Sequence, residues 1–149
     1  MTASPELLDA LVASARLADR LREALARLQP CLPFDGARVL AAETSDPLLT
    51  DAFLKRFENL ACHLQDQLWP RIAVEQGMRN PAIVSRRDHA DLKEKYALPG
   101  SADAFLDVIR LRNRLSHIYP TNPGCQARRL NEVAGLCPIR AKIASSRGR

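Results

Sequence analysis

The stretch SPELLDALVASARLADRLREALARL, residues 4–28, decides the fold class of this chain. Its apolar residues return every three or four positions, which is the period of an α-helix rather than of a strand. Ser4 can accept a hydrogen bond from the first turn, and Pro5 suits the first helical position, where no N–H is needed. We therefore predict a first helix over 4–28, ended by Pro30 and Pro33. Its apolar stripe consists of Leu7, Leu11, Ala15, Ala18, Leu21, Leu25 and Leu28.

A second run of apolar residues predicts another helix, which opens at Asp46-Pro47 or at Thr50-Asp51. Residues 30–46 lack such a run and are interpreted as a connection. Pro70 has no backbone N–H to donate, so this helix is expected to kink or stop near Trp69. The apolar positions of the second helix are Phe53, Phe57, Leu60, Leu64 and Leu68.

The rest of the chain alternates between helical patterns and breaks. We predict a loop over about 77–84, a helix over 88–96, a helix from Ser101 to about Tyr119, a turn at 122–124, a helix over 126–137 and a frayed basic tail at 145–149. Four or five amphipathic helices joined by mostly short loops predict an all-α, up-and-down helical bundle. The length suits a single domain, 1–149, with an ordered core at about 4–140.

Composition narrows the class of protein further. Hydrophobic residues make up 46% of the chain and charged residues 26%, which suffices for one ordinary globular core. Only 5% of the residues are aromatic and only six are glycines, which favours helices over a turn-rich β-sandwich. The apolar runs are far too short for a membrane-spanning helix, and the N-terminus does not resemble a signal peptide. We therefore expect a cytoplasmic protein without membrane association.

The cysteines do not predict a metal site or a disulfide framework. Cys31, Cys62, Cys125 and Cys137 contain no C-x-x-C pair. We interpret them as reduced, buried, small apolar residues.

The charge balance indicates an anionic partner. The net charge is +5 and the isoelectric point is about 9.4. A basic surface suits RNA, but it suits an acidic protein partner as well.

The segment RLRNRLSHIYP, residues 110–120, gathers side chains that suit phosphate chemistry. Arginine binds phosphate oxygens through paired N–H groups and keeps its charge. Histidine is the side chain best able to give or take a proton near neutral pH. The segment is therefore a candidate phosphate site, with Arg110, Arg114 and Ser116 as candidates for substrate contact.

The positions of Arg112, Asn113, His117 and Tyr119 resemble the active-site motif of HEPN ribonucleases. More narrowly, the chain resembles the HepT toxins of the HepT/MntA toxin–antitoxin systems. The helical layout is similar too, because the motif ends a late helix and is followed by a proline-containing turn and a final helix. The triplet Arg56-Phe57-Glu58 in the second helix is also similar to this family, and the resemblance extends over most of the chain.

The resemblance implies a metal-independent endoribonuclease that needs no cofactor, in which the RNA 2′-hydroxyl attacks the adjacent phosphorus. Arg112 would stabilise the charge that develops on the phosphate. His117 would act as general acid or base, and Asn113 would orient the histidine or the phosphate. The resemblance also implies a homodimer in which two motifs face one shared cleft.

The resemblance further implies a protein partner, an MntA-like nucleotidyltransferase antitoxin. Such an antitoxin would attach AMP to Tyr119. The bulky, negatively charged AMP beside His117 would then block an RNA phosphate by steric hindrance and by like-charge repulsion.

Helix geometry sets a condition on this site. Arg112 and His117 are five residues apart, which is about 140° around an ideal helix. They share a face only if the helix ends or distorts there, or if a second protomer completes the site. By helical spacing alone, Asp107, Arg110, Arg114 and His117 line one face.

Each residue also has a plainer interpretation. His117 could contact the last carbonyls of its helix, and Tyr119 could pack against the final helix. Arg110 and Arg114 would fit a solvated face paired with Asp103, Asp107 or Glu132. The main alternative for the whole chain is a non-catalytic helical module that binds nucleotide or docks a nucleotidyltransferase, and a third possibility is a helical scaffold in which the motif occurs by chance.

Overall fold

The chain folds into an all-α helical bundle, as the sequence predicts. The computed structural model describes residues 3–75, 77, 102–117 and 122–145, and in the last two segments it describes side chains at 107–115 and 122–136. The helices are α1 (Pro5–Leu28), α2 (Gly36–Ser45), α3 (Leu49–His63), α4 (Trp69–Glu75), α5 (Ala102–His117) and α6 (Pro123–Ser145). No strand occurs among these described residues. The helix predicted at 88–96, the Ser101 cap, most of the 77–84 loop and residues 146–149 lie outside them.

The first helix begins and ends where the sequence predicts. The Ser4 hydroxyl accepts a hydrogen bond from the Leu7 N–H at 3.2 Å, and Pro5 occupies the first turn. The stripe is wrong at one position, because Ala15 is exposed. Leu21 and Leu28 of the stripe are buried as predicted, and Ala10 and Ala24, which the stripe did not include, are buried with them.

Helix α2 contradicts the interpretation of residues 30–46 as a connection. The Asp35 carboxylate caps this helix by accepting a hydrogen bond from the Arg38 N–H at 2.8 Å. Val39 and Ala42 are buried, and the helix packs mainly against α6. An isolated helix of ten residues is only marginally stable, so the stability of α2 comes from this packing. The local sequence gives no signal of such contacts.

An asparagine of α6 fixes the segment that leads into α2. The Asn131 side chain accepts a hydrogen bond from the Phe34 N–H at 2.7 Å and donates one to the Phe34 carbonyl at 2.9 Å. The Phe34 side chain is itself buried in the core. One amide therefore satisfies both backbone groups of a buried residue that belongs to no helix.

Pro70 distorts its helix but does not end it. A π-helical turn, Leu64–Leu68, joins α3 to α4, and the Trp69 N–H bonds to the Leu64 carbonyl five residues earlier. Such a turn takes up the change in hydrogen-bond register that a proline imposes, so the helical path continues to Glu75. The predicted stop at Trp69 is therefore wrong, and the irregularity that the helix shows ahead of Pro70 is a π turn.

Helix α1 runs antiparallel to the α3–α4 path. Three hydrogen bonds join them: Arg56 to the Arg20 carbonyl at 2.8 Å, the His63 ring to the Ala10 carbonyl at 2.9 Å, and the Ser4 N–H to the Glu75 carboxylate at 2.9 Å. Later residues on one path meet earlier residues on the other, which defines the antiparallel order.

The core lies between α1, α2, α3, α5 and α6. Phe53 and Phe57 of α3 are each 1% exposed and occupy its centre. Asn122 is the N-cap of α6, since its side chain accepts a hydrogen bond from the Cys125 N–H at 2.8 Å. The turn predicted at 122–124 is therefore the start of α6, which also extends beyond the predicted end at residue 137.

Candidate functional site

The candidate motif lies in the second half of α5. Val108, Ile109 and Leu111 are buried and attach this helix to the core. At about 100° per residue, Arg112 lies on the same side of the helix as these apolar residues. Arg110 and Arg114, two positions to either side, fall on the opposite, solvent-facing side. The three arginines of the motif therefore occupy two different environments.

The two outer arginines are solvated and paired with carboxylates. Arg110 contacts Asp107 at 3.5 Å, and its side chain is 70% exposed. Arg114 contacts Glu132 of α6 at 2.8 Å, and its side chain is 66% exposed. Exposed pairs of this kind contribute little to stability. This arrangement matches the plainer interpretation of both residues, and it leaves them accessible to an anionic ligand.

Arg112 is held between α5 and α3. Its Nε–H and Nη2–H groups both donate to the sulfur of Cys62, at 3.2 Å and 2.9 Å. Its Nη1–H donates to the Asn113 side-chain oxygen at 2.9 Å. The side chains of all three residues are half-buried. The guanidinium is therefore oriented by two neighbours from two different helices.

The structure brings Arg112 and Asn113 together and adds a residue that the sequence did not single out. Cys62 was interpreted as a buried apolar residue, but it is half-buried and acts as a hydrogen-bond acceptor. Cys31 and Cys125 are half-buried as well, whereas the Cys137 side chain lies outside the described residues. No sequence signal links position 62 to position 112, because fifty residues separate them and only the packing of α5 on α3 brings them together.

The other motif residues are described less fully. His117 and Ser116 are part of α5, but their side chains lie outside the described residues, as does Tyr119 entirely. Because α5 continues as an α-helix through His117, the five-residue spacing still separates its backbone direction from that of Arg112 by about 140°. The helix does not end early enough to place both residues on one face.

Among the described residues, two surface grooves lie away from the motif. A groove of about 440 Å³ is lined by residues from the start of α1 and from the π turn and α4, including Glu6 and Arg71. Another, of about 290 Å³, lies between α1 and α3 and is lined by Arg20, Lys55 and Arg56. Carboxylates already lie close to two of these cations, since Lys55 contacts Glu58 at 3.2 Å and Arg56 lies 3.9 Å from Glu23. Neither groove contains a residue of the 110–120 segment.

The chain matches no protein-family model, no curated protein and no solved structure. The resemblance to HEPN ribonucleases therefore rests on the motif residues and the helical layout. Within the described part of the chain, no three His, Cys, Asp or Glu side chains are grouped as metal ligands would be. None of the helices described there is long and apolar enough to cross a lipid bilayer.

Proposed function

We propose that this protein is a metal-independent endoribonuclease of the HEPN type, the toxin of a toxin–antitoxin pair. The observation that carries the proposal is the difference in burial and in hydrogen-bond partners among the three motif arginines. Arg110 and Arg114 are exposed and ion-paired, whereas Arg112 is half-buried and oriented by Asn113 and Cys62. An oriented arginine is what stabilisation of a transition state requires, because its donors need not reorganise during the reaction.

In the proposed reaction the RNA 2′-oxygen attacks the adjacent phosphorus and the 5′-oxygen leaves. His117 transfers protons, either from the 2′-hydroxyl or to the leaving oxygen. Arg112 donates hydrogen bonds to the non-bridging phosphate oxygens, where negative charge increases in the transition state. Asn113 helps to keep the guanidinium in place. The products are a 2′,3′-cyclic phosphate and a 5′-hydroxyl end.

The proposed active unit is a homodimer. Arg112 lies on the core-facing side of α5, while the position of His117 is rotated by about 140° from it on the same helix. A second protomer could therefore supply the histidine that acts with Arg112. In this arrangement Arg110, Arg114 and Ser116 contact the RNA backbone beside the reacting phosphate.

The proposed partner is an MntA-like nucleotidyltransferase antitoxin that adds AMP to Tyr119. Tyr119 follows His117 by two residues in the sequence. An AMP group there would introduce bulk and negative charge next to the proposed proton-transfer residue, which opposes binding of an RNA phosphate.

The experiment is cleavage of a mixed RNA by the purified protein in EDTA. We expect wild-type protein to cut RNA but not DNA of the same sequence, because DNA lacks the 2′-hydroxyl. His117→Ala is expected to lower the rate by a factor on the order of 10²–10⁴ while the helix content stays unchanged. Arg128→Ala, which removes an exposed arginine of α6, is the matched control and should cut like wild type.

Mixing two inactive variants tests the shared site. If Arg112 of one protomer acts with His117 of the other, mixing Arg112→Ala with His117→Ala restores about one quarter of the wild-type rate, by the statistics of random pairing. The absence of any restoration, in a mixture shown to exchange subunits, would contradict a site shared in this way.

Full activity of His117→Ala would refute the catalytic assignment. If wild type is inactive, its intact mass shows whether AMP is already attached. If the protein is unmodified, does not cut RNA and binds a nucleotide or a nucleotidyltransferase, the ribonuclease proposal is wrong. The chain is then a non-catalytic binding module.

A further inference from the structure

The sulfur of Cys62 lies at one edge of the Arg112 guanidinium. The Nε–H and Nη2–H groups form the side edge of the guanidinium, which is one of the two edges that can hold a carboxylate or phosphate with two parallel hydrogen bonds. Both donors of that edge converge on one atom, Cys62 Sγ, at 3.2 Å and 2.9 Å.

Cys62 is well placed to orient another side chain. It directly follows Leu60 and Ala61, which are 3% and 0% exposed, so this part of α3 is held firmly in the core. Arg112 comes from α5, and the contact therefore crosses between two packed helices. A side chain on a rigid element positions its neighbour more accurately than one on a loop.

The chemistry of the acceptor matters as much as its position. A thiol sulfur is neutral and a weak acceptor, so it can orient the guanidinium without holding it strongly. A phosphate carries negative charge, so its pairing with the guanidinium joins two opposite charges through parallel hydrogen bonds and is stronger than the contact with a neutral sulfur. An incoming RNA phosphate can therefore displace the sulfur from the side edge of Arg112, whereas a carboxylate at the same place would compete with the phosphate.

We propose that Cys62 is a positioning residue of Arg112, an exchangeable acceptor that holds the side edge of the guanidinium ready for the RNA phosphate. This inference rests on the proposed ribonuclease function and extends it to a residue outside the 110–120 segment. The activity should then depend on the strength of the acceptor at position 62, with a neutral acceptor preferred over none and over an anionic one.

The test compares three substitutions in RNA cleavage under steady-state conditions. Cys62→Ser keeps a neutral acceptor and should stay within about threefold of the wild-type kcat/KM. Cys62→Ala removes the acceptor of both hydrogen bonds and should lower kcat/KM by about three- to tenfold, a modest effect because thiol sulfur is a weak acceptor. Cys62→Asp should lower it by about 10²-fold, mainly through a higher KM, because the carboxylate holds the edge that the phosphate needs.

The chain provides a matched control on α6. Arg128 Nη2–H donates to the sulfur of Cys125 at 3.2 Å, which is the same kind of contact on an exposed helix face. Cys125→Asp adds the same charge in the first turn of α6, where an acidic residue is tolerated. This variant should cleave RNA like wild type, so any loss specific to Cys62→Asp is not an effect of added negative charge alone.

A double variant separates positioning from a structural role. If Cys62 acts through Arg112, then Cys62→Ala combined with Arg112→Ala is no less active than Arg112→Ala alone. Multiplied losses in the double variant would overturn the inference. An unchanged KM in a folded Cys62→Asp protein, or a Cys62→Ala protein with full activity, would overturn it as well.

A spectroscopic measurement keeps the inference testable apart from the ribonuclease activity. In protein labelled with ¹⁵N-arginine, the Nε–H signal of Arg112, assigned by its absence in Arg112→Ala, should exchange slowly with water. It should exchange faster in Cys62→Ala and remain slow in Cys62→Ser. Slow exchange that is unaffected by Cys62→Ala refutes the positioning contact. If the exchange behaves as expected but wild-type protein does not cut RNA, the proposed function fails and the contact stands.

Discussion

Replacing Asn131 with alanine removes the two hydrogen bonds that hold the segment ahead of α2 onto α6. The lost partners are the N–H and the carbonyl of Phe34, at 2.7 Å and 2.9 Å. At roughly 1 kcal/mol for each bond, the loss amounts to about 2 kcal/mol of unfolding free energy. Alanine is the better helix former by up to about 0.7 kcal/mol, which offsets part of that loss.

We therefore expect Asn131→Ala to lower the free energy of unfolding by about 1.5 kcal/mol in urea, with an unchanged m-value. For a chain of this length the melting temperature should fall by roughly 3–6 °C. Arg128→Ala is the control, because it alters an exposed position on the same helix and should change stability by less than about 0.5 kcal/mol. An Asn131→Ala protein as stable as this control would show that the contact with Phe34 contributes nothing.

Three further predictions concern the stability contributed by a buried ring, by an exposed ion pair and by a hydrogen-bonded carboxylate. Phe57→Ala should lower the unfolding free energy by about 3–5 kcal/mol in urea, because the ring is buried in the core, and a loss under about 1 kcal/mol would contradict that packing. Arg114→Ala should cost less than about 1 kcal/mol in the same assay, since its ion pair is exposed, and a larger loss would show a structural role. Hydrogen bonds from the Ser4 hydroxyl and backbone N–H hold the pKa of Glu75 below its ordinary value of 4.5. Ionised Glu75 therefore stabilises the fold above about pH 4.5, and this contribution is lost as the pH falls through the lowered pKa. Thermal melts from pH 6 downward should show the advantage of wild type over Glu75→Gln shrinking, and a constant difference would refute the assignment.

Local signals accounted for most of the helices. The Ser4 cap and Pro5 mark the start of α1, and the spacing of Phe53 and Phe57 identifies the buried face of α3, because caps and periodicity are properties of neighbouring residues. The same local rules placed the 110–117 segment at the end of a helix. They also placed Arg110 and Arg114 together on one helical face, since that follows from the rotation per residue alone.

Features of the fold that depend on contacts between distant residues could not be predicted from these local signals. Helix α2 exists because Val39 and Ala42 bury against other helices, which a short and weakly periodic segment does not reveal. The continuation of the α3–α4 path beyond Pro70 depended on a π turn that the sequence does not encode in any simple pattern.

In the candidate site, too, some features follow from local sequence and others only from packing. The sequence by itself determined which residue types stand near the end of α5 and the helical spacing between them. The tertiary structure decided that Arg112, unlike Arg110 and Arg114, is half-buried and that one of its acceptors is a cysteine fifty positions away. The physical reason is that helical rotation depends only on neighbouring residues, whereas the partner of a side chain depends on how two helices pack.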